Sequence, residues 1–248
     1  MKTIFLDEVD STNNYLKAHC NELSDQTAVT ALRQVAGKGR LGHLWEGCEE
    51  MLPLSILFKN PPEPENLSAR AGLAVCEALE EALEKPLEKA VSKQFSAGIK
   101  WPNDIILENH KVCGILCESV RVGACLNVIC GIGINIAQSE NYFKQAGLPN
   151  GGSILSITGL SIDRNELFER VAERVIFRCA MPFHECFDEY KKRVLNIGRE
   201  VRLIKNGAEK IAFAEDVSEQ GFLICRDENS VFEVNSGEVS VRGKEGYI

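Results

Sequence analysis

The sequence predicts an α/β (α+β) protein, a mixed sheet with helices packed mainly on one face, followed by a small β-barrel. Up to about residue 194, strand-like and helix-like segments interleave. The helical segments carry apolar residues at three- and four-residue steps. After Gly198 the texture changes to short strand candidates roughly ten residues apart, the spacing of a small barrel. A boundary near residues 194–198 therefore divides residues 1–196 from residues 197–248.

Thr3 to Val9 is β-like, and Asp10-Ser11-Thr12 supplies N-cap chemistry for an amphipathic helix through about Leu23. A second β-rich run, Ala28 to Leu32, leads into a glycine-rich basic stretch from Ala36 to Gly47. Met51 to Phe58 is strand-like, and Pro53 argues for an edge position or a bulge. The proline-rich stretch from Lys59 to Glu65 is a loop. From Asn66 to about Glu84, Leu67, Ala71, Ala74, Val75, Ala78, Leu79 and Ala82 make one helical face, while Glu77, Glu80, Glu81 and Glu84 mostly fill the other. Short β runs follow at Gly98 to Trp101, Asp104 to Leu107, Val112 to Ser119 and Ala124 to Asn135, separated by turn residues. Leu167, Phe168, Val171, Ala172, Val175, Ile176 and Cys179 stripe a further helix that Met181-Pro182 interrupts, and a shorter one runs from Phe183 to about Val194. The barrel strands are Glu200 to Leu203, Lys210 to Ala214, Gly221 to Cys225, Val231 to Val234 and Val239 to Arg242.

The net charge of −8 disfavours nucleic acid and anionic membrane surfaces as partners, so an anionic ligand needs a local basic patch. No apolar run reaches the roughly 18 residues of a membrane helix, and Asp7-Glu8 follows the opening apolar residues too soon for a signal peptide; the expectation is a cytoplasmic protein. The ten cysteines are scattered through apolar runs, which reads as buried thiols. Cys113 and Cys117 would share one strand face as core packing, and the four histidines form no ligand pattern.

Gly37-Lys38-Gly39-Arg40-Leu41-Gly42 matches the G-x-G-x-x-G pattern of dinucleotide folds, but His43-Leu44-Trp45-Glu46-Gly47 is no helix opening. A protein-kinase loop is disfavoured because the His-Arg-Asp and Asp-Phe-Gly elements are missing. A solvated loop accounts for the segment by itself, whereas glycines beside two cations suit a loop that closes over phosphate. In Lys100-Trp101-Pro102-Asn103-Asp104, a plain turn competes with a device that puts Lys on phosphate and Asp near Mg²⁺. Lys111, three residues before Gly114, is either a solvated hairpin lysine or one turned into a pocket. Gly131-Ile132-Gly133-Ile134-Asn135 is a strand whose glycines permit close approach of another group.

Asp10-Ser11-Thr12-Asn13, Gln34-x-x-Gly37-x-Gly39-Arg40-x-Gly42 with Trp45, Lys100-Trp101-Pro102-Asn103-Asp104, Lys111-x-x-Gly114-Ile115-Leu116 and Gly131-x-Gly133-x-Asn135 occur in a characteristic order and spacing. Together they resemble the biotin protein ligases. The resemblance runs from about Asp7 to Arg242 and includes the tail from Gly198-Arg199-x-Val201 to Gly237-Glu238-Val239-Ser240-Val241-Arg242. It implies a fold like that of class II aminoacyl-tRNA synthetases with an SH3-like C-terminal barrel. It also implies ATP-dependent activation of biotin to biotinyl-5'-AMP and transfer to a lysine of a carboxylase's biotin carboxyl carrier protein, by a monomer or homodimer.

By that resemblance Ser11, Thr12, Asn13 and Gln34 line the biotin pocket, and Gly37, Lys38, Gly39 and Gly114 belong to it. Arg40 and Lys111 sit at the biotin carboxylate and the α-phosphate, and with Lys100 they form the catalytic cations. Trp45, Asn103 and Asn135 lie with them at the nucleotide, and Asp104 faces phosphates carrying Mg²⁺. Lys38 replaces the family's usual arginine, which removes a planar fork. Leu41 and His43 replace flanks that are often basic, and Glu49-Glu50-Met51-Leu52-Pro53 replaces the family's Gly-x-Asn segment. Lipoate or octanoate ligases are similar in chemistry, but their Arg-Arg-x-Ser-Gly-Gly-Gly signature is missing. A biotin-responsive DNA-binding repressor is disfavoured because the ligase pattern begins at once, and a non-catalytic biotin or nucleotide sensor is the remaining alternative.

Overall fold

The computed structural model describes residues 1–42, 45, 48–87, 94–205, 207–236, 239–244 and 246–248. His43, at the altered loop flank, and Gly237-Glu238 of the tail motif lie outside the described residues, as does the side chain of Leu41. The first part of the chain contains β1 (Lys2–Val9), α1 (Thr12–His19), β2 (Thr27–Gln34), β3 (Met51–Lys59) and α2 (Leu67–Leu87). It continues through β4 (Ala97–Lys100), β5 (Asp104–Leu107), β6 (His110–Val122) and β7 (Cys125–Asn135). These strands form a seven-stranded sheet in the order β1-β2-β3-β7-β6-β5-β4. Only β1 and β2 pair in parallel, because α1 crosses between them. Four helices follow, α3 (Glu140–Gln145), α4 (Ile154–Thr158), α5 (Arg164–Ala180) and α6 (Phe183–Arg193). Then β8 (Arg199–Lys205), β9 (Ala208–Val217), β10 (Leu223–Arg226), β11 (Val231–Val234) and β12 (Ser240–Gly243) make a separate antiparallel sheet in the order β11-β10-β9-β8-β12. All five strands expected after Gly198 are present.

Strand alternation sorts the large sheet into two faces. Ile56, Cys130 and Ile132 look toward α2 and α5 and belong to the main core, which continues without a break into Val201, Leu203 and Leu223 of the second sheet. Leu57, Val29 and Ile129 look the other way and pack under Leu16, Cys20 and Leu23. On that second face the apolar cover stops after α1, and the open part of the sheet becomes the floor of a cavity. Three of the four glutamates on the other face of α2 meet arginines of the neighbouring helices, while Glu84 is exposed. Glu77 pairs with Arg178 at 2.5 Å, Glu80 with Arg193 at 2.7 Å, and Glu81 with Arg170 and Arg174. Arg70 is fully buried and donates to four backbone carbonyls, those of Pro62, Glu63, Cys179 and Met181, at 2.6–2.8 Å.

Several expectations need correction. Helix α1 stops at His19 rather than Leu23, and the chain continues as a turn in which the Glu22 and Leu23 N–H groups share the His19 carbonyl. Ser11 stands at the N-cap position but its side chain makes no cap bond; it is buried against the cavity. Pro53 is in an interior strand, paired with Gly133. The paired register with β2 ends at Thr30 and Leu54, one residue before Pro53, so the proline sits where the sheet is locally one-sided. Helices α3 and α4 were not anticipated, since six and five residues are too few to show a helical period. Seven of the ten cysteines are buried, Cys113 among them, as expected of core thiols.

Candidate active site

The cavity encloses about 780 Å³ above the second face of the sheet. Its floor is built from alternate residues of three neighbouring strands: Met51 and Pro53 on β3, Gly131 and Gly133 on β7, and Gly114 and Leu116 on β6. The floor glycines are there because other groups stand where their side chains would be. A Cβ on Gly131 would lie 2.3 Å from Asn13 Oδ1, and one on Gly133 would lie 2.3 Å from Trp45 Nε1. Trp45 also crosses Gly114, 3.1 Å from where its Cβ would be. Its Nε1–H is buried without a partner among the described residues, an unused donor inside the cavity. At Gly37 a Cβ would meet Gln34 Nε2 and the Trp45 carbonyl at 2.2 Å each, so the loop can fold against Gln34 only as glycine.

One end of the cavity is a buried hydrogen-bond network. Gln34 Oε1 accepts from the Thr12 N–H at 2.9 Å and lies 3.2 Å from the Thr12 hydroxyl. Asn13 Nδ2 donates to Glu118 Oε2 at 2.8 Å and to the Leu116 carbonyl at 3.3 Å, which fixes its amide with Oδ1 toward Ser55. Ser55 Oγ is 2.6 Å from that oxygen and 2.7 Å from Thr12 Oγ1. Because an amide oxygen only accepts, Ser55 must donate to Asn13, and the single Thr12 proton is then shared between Ser55 and Gln34. The cluster is short of donors and suits a ligand that brings N–H groups. Burial raises the Glu118 carboxyl, but hydrogen bonds from Lys17 and Asn13 together with the Lys17 charge outweigh it and hold the group low. Lys17 lies 2.5 Å from Glu118.

The other end is cationic. The turn Trp101-Pro102-Asn103, whose Trp101–Pro102 peptide is cis, makes Lys100 and Asp104 direct cross-strand partners. In β6 a register shift lets Ile105 pair with Cys113 and Ile106 with Lys111, skipping Val112. That bulge puts Lys111 on the cavity face with Gly114 while Val112 and Cys113 both enter the core. Lys111 Nζ is 2.6 Å from Asp104 Oδ1 and 5.2 Å from the centre of a Trp45 ring. Its backbone is clamped by Asn150, whose carbonyl accepts from the Lys111 N–H, and by Gly152, whose N–H donates to the Lys111 carbonyl. Lys100 is 5% exposed with its Nζ 3.7 Å from Asp104 Oδ2. Burial, only partly opposed by Asp104, pushes its ammonium down to about 8. Burial acts to raise Asp104, but Lys111 and Lys100 with the Tyr247 hydroxyl win and keep it below the usual carboxylate range.

The residues expected to bind ligand or act in catalysis are all among the described residues, and Arg40, Lys100 and Lys111 line the same cavity together with Ser11, Thr12, Asn13 and Gln34. Gly39 and Asn103 also line it. Lys38 is at the exposed rim, 3.3 Å from Asn14 Oδ1. Arg40 departs most from expectation: instead of reaching inward, it donates to Asn103 Oδ1 at 2.9 Å, to Val239 O at 3.3 Å and to Ser236 O. Burial, partly countered by Asp104, lowers the pKa of its guanidinium. Asn135 lines the wall but uses its amide to brace the Lys111 and Gly152 carbonyls, at 3.4 and 3.0 Å. Both Asp104 oxygens are taken, one by Lys111 and the other by Lys100 and Tyr247. Among the described residues no cluster of three His, Cys, Asp or Glu could hold a metal. An all-protein magnesium cage is thus not built among the described residues, and Asp104 is the one carboxylate that lines the cavity. Ser55, Glu118 and Tyr247 went unnoticed in the sequence, and Arg242 was noticed only as the end of the tail motif; of the first three, only Ser55, a hydroxyl inside an apolar strand, carried a signal.

Residues 5–135 match the Biotin/lipoate A/B protein ligase family, and residues 197–242 match the Biotin protein ligase C terminal domain. The biotin protein ligase of Aquifex aeolicus, solved in complex with biotin and ATP, has a TM-score of 0.78 and 32% identity, covering 98% of this chain and 99% of that one. The biotin–acetyl-CoA-carboxylase ligase of Mycobacterium tuberculosis is 28% identical over 94% of this chain and 86% of its own length. The bifunctional ligase/repressor BirA of Escherichia coli is 28% identical over 96% of this chain and 73% of its own. A cavity with a donor-hungry polar end, a glycine floor and a cationic end thus sits in a chain that belongs to the biotin/lipoate A/B protein ligase family, among its biotin protein ligases.

Proposed function

We propose that the protein activates biotin with ATP to biotinyl-5'-AMP and transfers the biotin to a lysine of a carboxylase's biotin carboxyl carrier protein. The observation that carries this reading is the convergence of Lys100 and Lys111 on Asp104 at one end of a cavity, with Arg40 at its edge, whose other end is the Thr12–Asn13–Gln34–Ser55 network. In this reading the network, with Ser11, receives the ureido ring, whose N–H groups make up the donor deficit. Gly37, Lys38, Gly39 and Gly114 let the loop and floor close on the ligand.

A biotin carboxylate oxygen then attacks the α-phosphorus, the bond to pyrophosphate breaks, and a mixed anhydride remains. Two anions meet in that step, so Lys111 and Lys100 offset the repulsion and stabilise charge on the phosphoryl oxygens, with Arg40 joining once released from its carbonyl partners. Asn103, Asp104 and Asn135 hold those cations in place, and Trp45 shields the anhydride from water. Magnesium belongs to the ATP substrate and arrives on its phosphates. The acceptor amine attacks the carbonyl carbon, the amide forms, and AMP leaves.

The same reading makes residues 1–196 a catalytic domain of class II aminoacyl-tRNA synthetase type and residues 197–248 an SH3-like barrel; the mixed seven-stranded and antiparallel five-stranded sheets support it. Among the described residues no helix is long and apolar enough to cross a membrane. We place the reaction in the cytoplasm, carried out by a monomer or homodimer without nucleic acid or membrane.

Pyrophosphate exchange with biotin, lipoate and octanoate supplied separately tests the assignment. Exchange is expected with biotin, and exchange confined to either of the other acids overturns it. Lys111→Ala is expected to lower the biotin-dependent rate by about 10²–10³-fold, the usual worth of one preorganised charge-stabilising group. Undiminished exchange removes Lys111 from the mechanism.

A further inference from the structure

The cationic end of the cavity holds more positive than negative charge. Lys100 has Asp104 on one side, while Lys111 and Arg242 both act to expel its proton. One carboxylate serves two lysines, and like charges confined to a buried wall drive flexible lysine side chains apart unless something else attracts them. That attraction comes from the end of the chain. Beyond Arg242 the tail folds back so that the Gly243 N–H donates to the Tyr247 carbonyl at 3.4 Å. The Tyr247 ring faces Lys100 Nζ, 4.1 Å from the ring centre, and its hydroxyl donates to Asp104 Oδ2 at 2.6 Å. Burial, then the Asp104 charge, raises the phenol pKa, so the hydroxyl keeps its proton and remains a donor.

We infer that Tyr247 is a positioning residue of the nucleotide site: its ring holds the Lys100 ammonium and its hydroxyl holds the Asp104 carboxylate, so that the last residues of the chain complete the surface that receives the triphosphate. The inference rests on the ligase reading for its ligand. Preorganised charge acts most strongly when it need not move as the substrate arrives, and an aromatic face can hold an ammonium without neutralising it. The tail can make this turn because residue 243 is glycine. A Cβ there would lie 2.3 Å from the Ile248 oxygen and 2.4 Å from its carbonyl carbon, both backbone atoms.

The test uses the full chain, with ATP and biotin titrated separately by calorimetry and the KM for ATP and kcat measured in pyrophosphate exchange. Tyr247→Ala is expected to weaken ATP about tenfold, only part of the worth of the cation–π contact and hydrogen bond because Tyr247 acts on ATP through Lys100 and Asp104. Biotin affinity should stay within about twofold, so that the KM for ATP moves more than kcat. Tyr247→Phe, which keeps the ring, should recover most of the loss. Gly243→Ala, which displaces the tail while leaving the Tyr247 side chain unaltered, should reproduce the Ala phenotype. ATP binding unchanged by Tyr247→Ala overturns the inference, as does tighter binding, which would make the ring a plug. Equal weakening of ATP and biotin also overturns it, since that marks general loss of structure. Wild-type protein that binds ATP but fails to exchange with biotin refutes the ligase reading while leaving the comparison of Tyr247 variants intact; wild-type protein that takes no ATP overturns both.

Discussion

Replacing Gly131 by alanine puts one methyl group where the structure has an amide. The new Cβ would lie 2.3 Å from Asn13 Oδ1, 2.8 Å from its Cγ and 2.9 Å from its Nδ2. An ordinary carbon–oxygen contact is about 3.4 Å, so the amide must retreat by roughly 1 Å. Its neighbours leave it little freedom, since Ser55 holds the oxygen at 2.6 Å and Glu118 the nitrogen at 2.8 Å. A displacement of that size loses or badly bends both bonds and the weaker one to Leu116. At about 1 kcal/mol for each neutral bond and about 2 for the charged one, the upper bound is about 4 kcal/mol. Alanine returns about 0.5–1 kcal/mol over glycine inside a strand. Gly131→Ala should therefore lower unfolding stability by up to about 3 kcal/mol. It should weaken biotin about 10–30-fold, the worth of one misplaced buried hydrogen bond. Urea unfolding and calorimetric titration with biotin check the two numbers. A variant with the wild-type urea midpoint and biotin affinity within about twofold would refute the placement of Asn13 over the floor.

Three further outcomes can be checked. Lys100, pushed down to about 8 by burial, is charged below that pH, so ATP affinity should fall as pH rises through about 8; Lys100→Arg should carry binding to higher pH, and a KM for ATP that stays flat through about pH 9 contradicts this. Stability should move oppositely, because between about 8 and the ordinary lysine value near 10.4 the unfolded chain binds the extra proton, so unfolding free energy rises with pH and the rise vanishes in Lys100→Met. Arg70→Leu strands four buried carbonyls and should cost about 3–5 kcal/mol in chemical denaturation, with a loss below about 1 kcal/mol ruling out the clamp.

The long amphipathic helices α2 and α5, the barrel strands and the loop glycines were legible because each leaves a local signature: a 3.6-residue period, turn residues at fixed intervals, or a cluster of small residues beside cations. Lys100 and Asp104 were legible too, since a short proline-containing turn makes the residues on either side cross-strand partners. Lys111 was harder. On a regular strand, Lys111 and Gly114 would face opposite sides, and only the unpaired Val112 brings them to one cavity. Arg40 is assigned to the ligand by the family resemblance, and nothing local in its loop announces the carbonyls of Ser236 and Val239 as competitors nearly 200 positions away. Tyr247 lay beyond reach for the same reason: its partners are set by how the second sheet docks, which no periodicity encodes. Helices α3 and α4 rest on serine caps over segments too short to show a repeat.

The arginine of the glycine loop is tied to two carbonyls in the connection between β11 and β12 of the C-terminal sheet, and this ties two affinities together. Whatever anion draws Arg40 inward must first break its bonds to Ser236 and Val239, so that sheet loses part of its hold on the loop at the same moment. Thermodynamic reciprocity then applies in both directions: a macromolecule that grips Ser236 and Val239 changes how tightly the small molecule is held, by the same factor that the small molecule changes the grip.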